Sequence, residues 1–136
     1  MNIDKFIKDH ESVITAISNL RNLMVSGPAE NAVSISKLVM DISSVIKLHL
    51  AAEDNFLYPA MIKSGNAEAV QLGKKYQTEM GTIAKAYMDF VGRWNIASKI
   101  TANPDGFKTD ANAIFKALHH RIQNENKELY PVAELL

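Results

Sequence analysis

Two stretches of the chain repeat one order of residues that could bind a metal ion. His49 is followed one helical turn later by Glu53, and His120 is followed by Glu125; a Leu-Tyr-Pro tripeptide then closes each stretch. A histidine and a glutamate on the buried side of one helix, provided twice, are what a helical bundle needs to hold a metal ion in its core. Without an ion, two carboxylates would be buried without partners, which is energetically costly.

The two pairs differ in their spacing. His49 and Glu53 stand four residues apart, so in a helix they share one face and can hold the same ion. His120 and Glu125 stand five apart, and at about 100° per residue they diverge by about 140°. A π-bulge would realign them; without one, His119 is the alternative. Nitrogen and oxygen ligands without thiolate suit iron, manganese or zinc.

The elements that must position these residues are helices. Apolar residues recur at helical spacing through most of the chain, and no strand pattern competes with them. The pattern predicts an all-α fold, an antiparallel up-down-up-down four-helix bundle that forms one domain over residues 1–136. The predicted helices cover about residues 3–25, 30–63, 67–97 and 109–130, with a long loop at residues 101–106.

Polar residues that could bind a metal interrupt the apolar stripes of three of these helices. His10 is in register with Phe6 and Val13 of the first helix, and a lone histidine of this kind is more often a hydrogen-bonded core residue. Three helices carry such residues at what could be one level of the bundle, and this favours a metal site. The predicted metal ligands are His10, His49, Glu53, His120 and Glu125.

Composition excludes several other classes of site and partner. The chain has no cysteine, which rules out disulfides, thiolate metal sites and iron–sulfur clusters. Its formal net charge is +0, which gives no electrostatic reason to expect nucleic acid or an anionic membrane as a partner. No apolar run approaches the roughly 20 residues that span a bilayer, and the N-terminus lacks a secretory signal. We therefore expect a soluble, cytoplasmic protein, whose protein partner, if any, is unknown.

The arrangement resembles the hemerythrin family in its bacterial cation-binding (HHE) domain form, over nearly the whole chain. Asp9-His10 looks like the family's opening Asp-His, residues 49–59 look like its His-x-x-x-Glu helix with a closing Leu-Tyr-Pro, and residues 120–125 are similar to its His-x-x-x-x-Asp. The resemblance implies a non-haem di-iron site bridged by Glu53 and Glu125. One iron would then bind His10 and His49, and the other would bind His120 and two histidines of the third helix.

Those two third-helix histidines are absent. Their places fall at Tyr76 and Met80, for which core packing is favoured over ligation. The first metal position keeps two imidazoles and two carboxylates, whereas the second keeps only His120 and the shared carboxylates. We expect the second position to be weak or empty, and replacement of Tyr76 and Met80 by histidine to raise occupancy toward two irons.

The leading functional hypothesis is a non-haem iron protein that binds or senses dioxygen or nitric oxide, or handles iron. A pocket lined by Ile83, Met80, Phe56 and Leu118 would slow the entry of water. One alternative is a di-iron enzyme that handles peroxide or nitric oxide; the missing histidines count against it, so the sequence leans against an enzyme. The others are a metal-free four-helix interaction or structural module and, at lower weight, a noncovalent haem protein.

Overall fold

The computed structural model describes residues 1–136 and is helical throughout, without strands. The α-helices are α1 (Asp4–Val25), α2 (Ala32–Ala52), α3 (Tyr58–Ile62), α4 (Ala67–Trp94), α5 (Ala97–Ala102), α6 (Pro104–Asn124) and α7 (Tyr130–Glu134). Two π-helical turns, Glu53–Leu57 and Glu125–Leu129, join α2 to α3 and α6 to α7 without a break. The chain therefore forms four long helical rods and one short helix, α5.

Side-chain caps fix where two of the long helices begin. The Asn66 side chain accepts a hydrogen bond from the Ala69 amide at 3.0 Å, which satisfies a free donor in the first turn of α4. The Asn103 side chain does the same for the Gly106 amide at 3.0 Å, and Pro104 begins α6, where a missing amide donor is harmless. These caps start α6 earlier than the sequence predicts. The predicted loop at residues 101–106 is wrong, because it consists of the end of α5, one junction residue and the first turn of α6.

The four long rods pack against one another around a common core. α1 contacts α2 and α6, and α4 also contacts both α2 and α6, so each rod has two neighbours. This arrangement is consistent with a helical bundle. None of the helices combines the length and the apolarity that crossing a membrane requires.

The core consists of two apolar clusters with polar residues at their border. The larger cluster includes Phe90, Trp94 and Phe115, and the smaller one includes Tyr58 and Tyr130. Six polar or charged side chains are buried, and five of them lie on or beside the two π turns: His10, His49, Glu53, Arg121 and Glu125. The buried polar groups are thus concentrated in one place.

The π turn after α2 changes which side chains face the core. In a regular helix Phe56 would continue the stripe from Glu53, but the extra residue of the π turn moves Leu57 and Tyr58 inward instead. Phe56 is 72% exposed, whereas Leu57 and Tyr58 are fully buried. The predicted contribution of Phe56 to the pocket is therefore wrong.

Candidate metal centre

Four of the predicted ligands lie side by side in the core. His10 is in the second turn of α1, His49 is near the end of α2, and Glu53 and Glu125 are the first residues of the two π turns. Their exposed fractions are 2%, 6%, 0% and 2%, respectively. Water therefore reaches none of these four side chains to an extent that could solvate a charge.

The ligand atoms of these residues converge at distances that suit a single ion. Nε2 of His10 lies 3.1 Å from Nε2 of His49 and 2.9 Å from Oε1 of Glu125. These three ligand atoms lie within 4.8 Å of one another. Oε1 of Glu53 lies 3.2 Å from Nε2 of His49. Neighbouring ligands of an ion that binds at about 2.1 Å are about 3 Å apart, so the residues present fit a metal ion.

Hydrogen bonds on the outer side of both imidazoles orient them toward this point. Nδ1 of His49 lies 3.1 Å from Oδ2 of Asp9, and Nδ1 of His10 lies 2.8 Å from Oδ1 of Asn126. Both oxygens accept, so each Nδ1 donates and each Nε2 can offer a lone pair to an ion. Partners of this kind fix the tautomer and ring orientation of metal-binding histidines.

Tyr130 also reaches the centre, although the sequence prediction did not include it. Its hydroxyl lies 3.0 Å from Nε2 of His10 and donates to Oε2 of Glu53 at 3.1 Å. Burial raises the pKa of Tyr130 well above its ordinary value, which keeps it a phenol that can donate. The repeated Leu-Tyr-Pro tripeptide was the signal in the sequence for this residue.

Arg121 is the second residue that the sequence prediction missed. Its guanidinium is buried, with Nε 3.4 Å from Oε2 of Glu125 and Nη2 donating to the Tyr58 hydroxyl at 3.0 Å. Nη2 also donates to the Tyr76 carbonyl at 2.9 Å, and the group lies 4.5 Å from the centre of the Tyr76 ring. Nη1 donates to Glu79 at 3.4 Å.

The register of the repeat explains why Arg121 was overlooked. The chain separation between Glu53 and Glu125 equals that between Tyr58 and Tyr130. At this separation the counterpart of His49 is Arg121 and not His120. The sequence analysis paired His49 with His120, and this alignment is one residue out of register.

The structure does not bring His120 to the other predicted ligands. It is exposed on α6, in a surface hollow together with Arg21, Lys116, His119 and Gln123. The π turn that was expected to realign it begins only at Glu125, so the helix between them is regular. His120 consequently lies on the exposed side of α6, apart from the other four predicted ligands. His119, the alternative, is paired with Gln123 at 3.1 Å.

Comparison with known proteins agrees with this geometry. The sequence model of the hemerythrin HHE cation binding domain matches residues 1–133. The chain belongs to the hemerythrin HHE cation-binding domain family. Neither the curated proteins nor the solved structures gave a match. Membership of a cation-binding family and the cluster of His10, His49 and Glu125 together indicate a metal-binding protein.

Helix α4 of this hemerythrin-like chain, which corresponds to the predicted third helix, offers no imidazole to the centre. Tyr76 is buried and presents its ring face to the Arg121 guanidinium. Met80 lines a small cavity beside the centre. Both side chains thus have packing roles in the structure.

The carboxylates of the hemerythrin-like centre strongly influence one another. Burial and the charge of Glu125 raise the pKa of Glu53 to about 7. Burial alone would lower the pKa of His49, but the carboxylates of Glu125 and Glu53 outweigh it and raise that pKa to about 10. Burial would likewise raise the pKa of Glu125, but the neighbouring His10 and His49 hold it below its ordinary value. Oε1 of Glu53 accepts no hydrogen bond, which leaves it available to a cation, whereas Oε2 of Glu125 lies 3.4 Å from Nε of Arg121.

A cavity of about 30 Å³ adjoins the imidazoles. This volume holds one or two molecules the size of water. Of the predicted lining residues, Ile83, Met80 and Leu118 are present, and Phe56 is not. Further apolar side chains and four polar residues complete the wall: Val13, Ile46, Leu50, Ile122, His10, His49, Arg121 and Glu125.

Proposed function

We propose that this protein binds one iron ion between His10, His49, Glu53 and Glu125 and uses it to bind or sense a small diatomic ligand, dioxygen or nitric oxide. The observation that carries the proposal is the convergence of two imidazole Nε2 atoms and a carboxylate oxygen within 4.8 Å in the core of a cation-binding domain. Two imidazoles and two carboxylates form a donor set that suits iron.

The buried carboxylates support the presence of an ion. Oε1 of Glu53 has no hydrogen bond although the side chain is fully buried. Leaving a buried charged group unsatisfied costs several kcal/mol, and a divalent cation would remove this cost. The two outer hydrogen bonds, from His49 to Asp9 and from His10 to Asn126, also orient both imidazoles with Nε2 toward the proposed ion.

The cavity supports a small, uncharged ligand. Its walls are mainly apolar, and its volume of about 30 Å³ admits a diatomic molecule but not a drug-sized substrate. When bound, a reduced iron ion with an open coordination position supplies the capacity to take up dioxygen or nitric oxide. Ile83, Met80 and Leu118 would keep bulk water away from the ion, and the Tyr130 hydroxyl would hold Glu53 in place.

The bundle that carries the centre is proposed to have the antiparallel up-down-up-down order. The beginning of α1 lies beside the end of α2, where His10 and His49 are 3.1 Å apart. The end of α4 lies beside the beginning of α6, where Trp94 donates to Asp110 at 2.9 Å. Short connections between the rods agree with this order.

Metal analysis of the full chain tests the proposal. The wild-type protein, purified without chelator and loaded with ferrous iron without oxygen, should retain one iron per chain after desalting. His49→Ala should lose that iron, whereas His120→Ala, which removes an exposed imidazole, should retain it. A wild-type protein without metal would favour the metal-free interaction module. Two irons would favour the di-iron enzyme instead.

The ligand part of the proposal has a separate test. Nitric oxide added to the reduced, iron-loaded protein should change its visible absorption spectrum in proportion to the iron content. The same addition to His49→Ala should give no change. If the iron-loaded wild type shows no spectral response to nitric oxide or dioxygen, the protein handles iron and does not bind diatomic ligands.

A further inference from the structure

The buried centre has two halves that are built in the same way. In the first half an acidic residue of α1, Asp9, pairs with His49, which lies one turn before Glu53. In the second half Glu79 of α4 pairs with Arg121, which lies one turn before Glu125. The distances are 3.1 and 3.2 Å in the first half and 3.4 and 3.4 Å in the second. The guanidinium of Arg121 therefore holds the place that the imidazole of His49 holds in the first half.

The two buried tyrosines extend this equivalence by crossing between the halves. The Tyr130 hydroxyl lies 3.4 Å from Nε2 of His49, and the Tyr58 hydroxyl accepts from Nη2 of Arg121 at 3.0 Å. Each tyrosine follows the glutamate of its own half by the same number of residues, across a π turn. Thus the central residue of each half, His49 or Arg121, meets the tyrosine of the other half.

The remaining ligand of the first half also has a counterpart. His10 follows Asp9 on α1, and Met80 follows Glu79 on α4; both side chains line the cavity. The second half thus offers a thioether and a guanidinium where the first offers two imidazoles. A guanidinium has no lone pair for a metal and cannot be deprotonated in proteins, and a thioether is a poor ligand for a hard cation.

We infer that the Arg121 guanidinium is a built-in cation that fills the second half of the centre, so that the protein holds a single metal ion in the first half only. The inference rests on the proposed function for the first half. Arg121 is 7% exposed and has partners for all three of its nitrogens: Glu125 near Nε, Glu79 on Nη1, and Tyr58 and Tyr76 on Nη2. A buried charge held by this many partners is fixed in position. It supplies a positive charge beside Glu125, on the side of that carboxylate that faces the second half.

Iron stoichiometry of designed variants tests the inference. Met80→His combined with Arg121→His copies the first half into the second and should raise the iron content from one to two per chain. Met80→His alone should remain at one, because the guanidinium still fills the place. The double variant Met40→His with Arg93→His changes the same residue types on the surface and should also remain at one. A folded Met80→His, Arg121→His protein that binds one iron, or a Met80→His protein that binds two, would overturn the inference.

The reciprocal change covers the case in which that variant does not fold. His10→Met combined with His49→Arg copies the second half into the first. It should fold, as judged by circular dichroism and a cooperative melt in chelator, and bind no iron. Loss of folding, or iron binding by this variant, would contradict the equivalence of the halves. A wild type without iron would instead count against the proposed function, while the melt of the reciprocal variant would still decide the role of Arg121.

Discussion

The hydroxyl of Tyr130 lies 3.0 Å from Nε2 of His10, and the two rings stack with their centres 5.1 Å apart. Tyr130 follows Glu125 in the sequence, whereas His10 is near the N-terminus, so this contact joins the two ends of the chain at the candidate metal centre. Because the same hydroxyl donates to Glu53, it links an imidazole and a carboxylate of the proposed ligand set. Tyr130 therefore couples the C-terminal end of the fold directly to the centre.

Tyr130→Phe should destabilise the metal-free protein. The substitution keeps the ring but removes the donor to a carboxylate oxygen of Glu53 that is fully buried. Loss of such a hydrogen bond lowers the free energy of unfolding by about 1–3 kcal/mol. Urea unfolding in the presence of chelator measures the change. Tyr87→Phe is the matched control, because that buried hydroxyl only makes a long hydrogen bond of 3.5 Å to a carbonyl. An equal loss of unfolding free energy in Tyr87→Phe would argue against a special role for Tyr130.

Glu53→Gln should have opposite effects with and without iron. Burial and Glu125 raise the folded-state pKa of Glu53 to about 7, so its ionisation opposes folding increasingly as the pH rises from the unfolded pKa to 7 and fully above it. At pH 8 in chelator the neutral glutamine should increase the free energy of unfolding, by at most about 3 kcal/mol. With iron bound, the wild type should be more stable than Glu53→Gln, because the variant loses a ligand and with it the stabilisation by binding.

Thermal melts of the wild type and Glu53→Gln, with chelator and with ferrous iron, show whether the substitution raises or lowers the melting temperature in each condition. Glu128→Gln serves as the control, since Glu128 is an exposed carboxylate of the other π turn, Glu125–Leu129. It should change neither melt appreciably. If Glu53→Gln lowers the melting temperature equally in both conditions, Glu53 stabilises the fold and is not a ligand.

Metal affinity should rise with pH. The neighbouring carboxylates raise the pKa of His49 to about 10, so this imidazole carries a proton at neutral pH that an ion must displace. Below pH 7 Glu53 is protonated as well, because burial and Glu125 raise its pKa to about 7. The affinity should therefore rise about a hundredfold per pH unit between pH 5 and 6 and about tenfold per unit between pH 8 and 9. Equilibrium titrations with manganous ion, which is stable in air at low pH, would show the change of slope, and a flat profile would exclude these ligands.

The helices and the level of the centre can be read from the sequence, but the identity of one key residue cannot. Periodicity places His10 and His49 among core residues, because a residue within the apolar stripe of a helix faces the core. His120 and Arg121 are neighbours, and a helix turns them about 100° apart, so an error of one residue in register exchanges buried for exposed. The π turn begins only at Glu125, after both residues, so it does not move His120 toward the core. A charged arginine is also not expected in a core unless its partners are already known.

Ile83→Trp should slow the entry of the diatomic ligand without removing the metal. Ile83 lines the cavity of about 30 Å³ but is not a candidate ligand, and an indole would fill the space. We expect the association rate of nitric oxide with the iron-loaded protein to fall by about tenfold, which corresponds to about 1.4 kcal/mol in the barrier. Stopped-flow absorption measures the rate, and iron analysis confirms the loading. Met88→Trp, at an exposed position of the same helix, is the control and should leave the association rate unchanged. If Ile83→Trp also leaves the rate unchanged, the ligand enters by another route.

Tyr76→His combined with Met80→His should not give a second iron as long as Arg121 is present. Sequence reasoning alone predicts two irons for this variant, because both missing third-helix imidazoles are restored. The guanidinium, however, already fills the space between Tyr76, Tyr58 and Glu125. The substitution also removes the aromatic ring 4.5 Å from the guanidinium carbon, and loss of a desolvated cation–π contact costs about 1–2 kcal/mol. We therefore expect one iron per chain and a lower free energy of unfolding. Tyr76→Phe should keep both the iron content and the stability, and a second tightly bound iron in the histidine variant would show that Arg121 can be displaced.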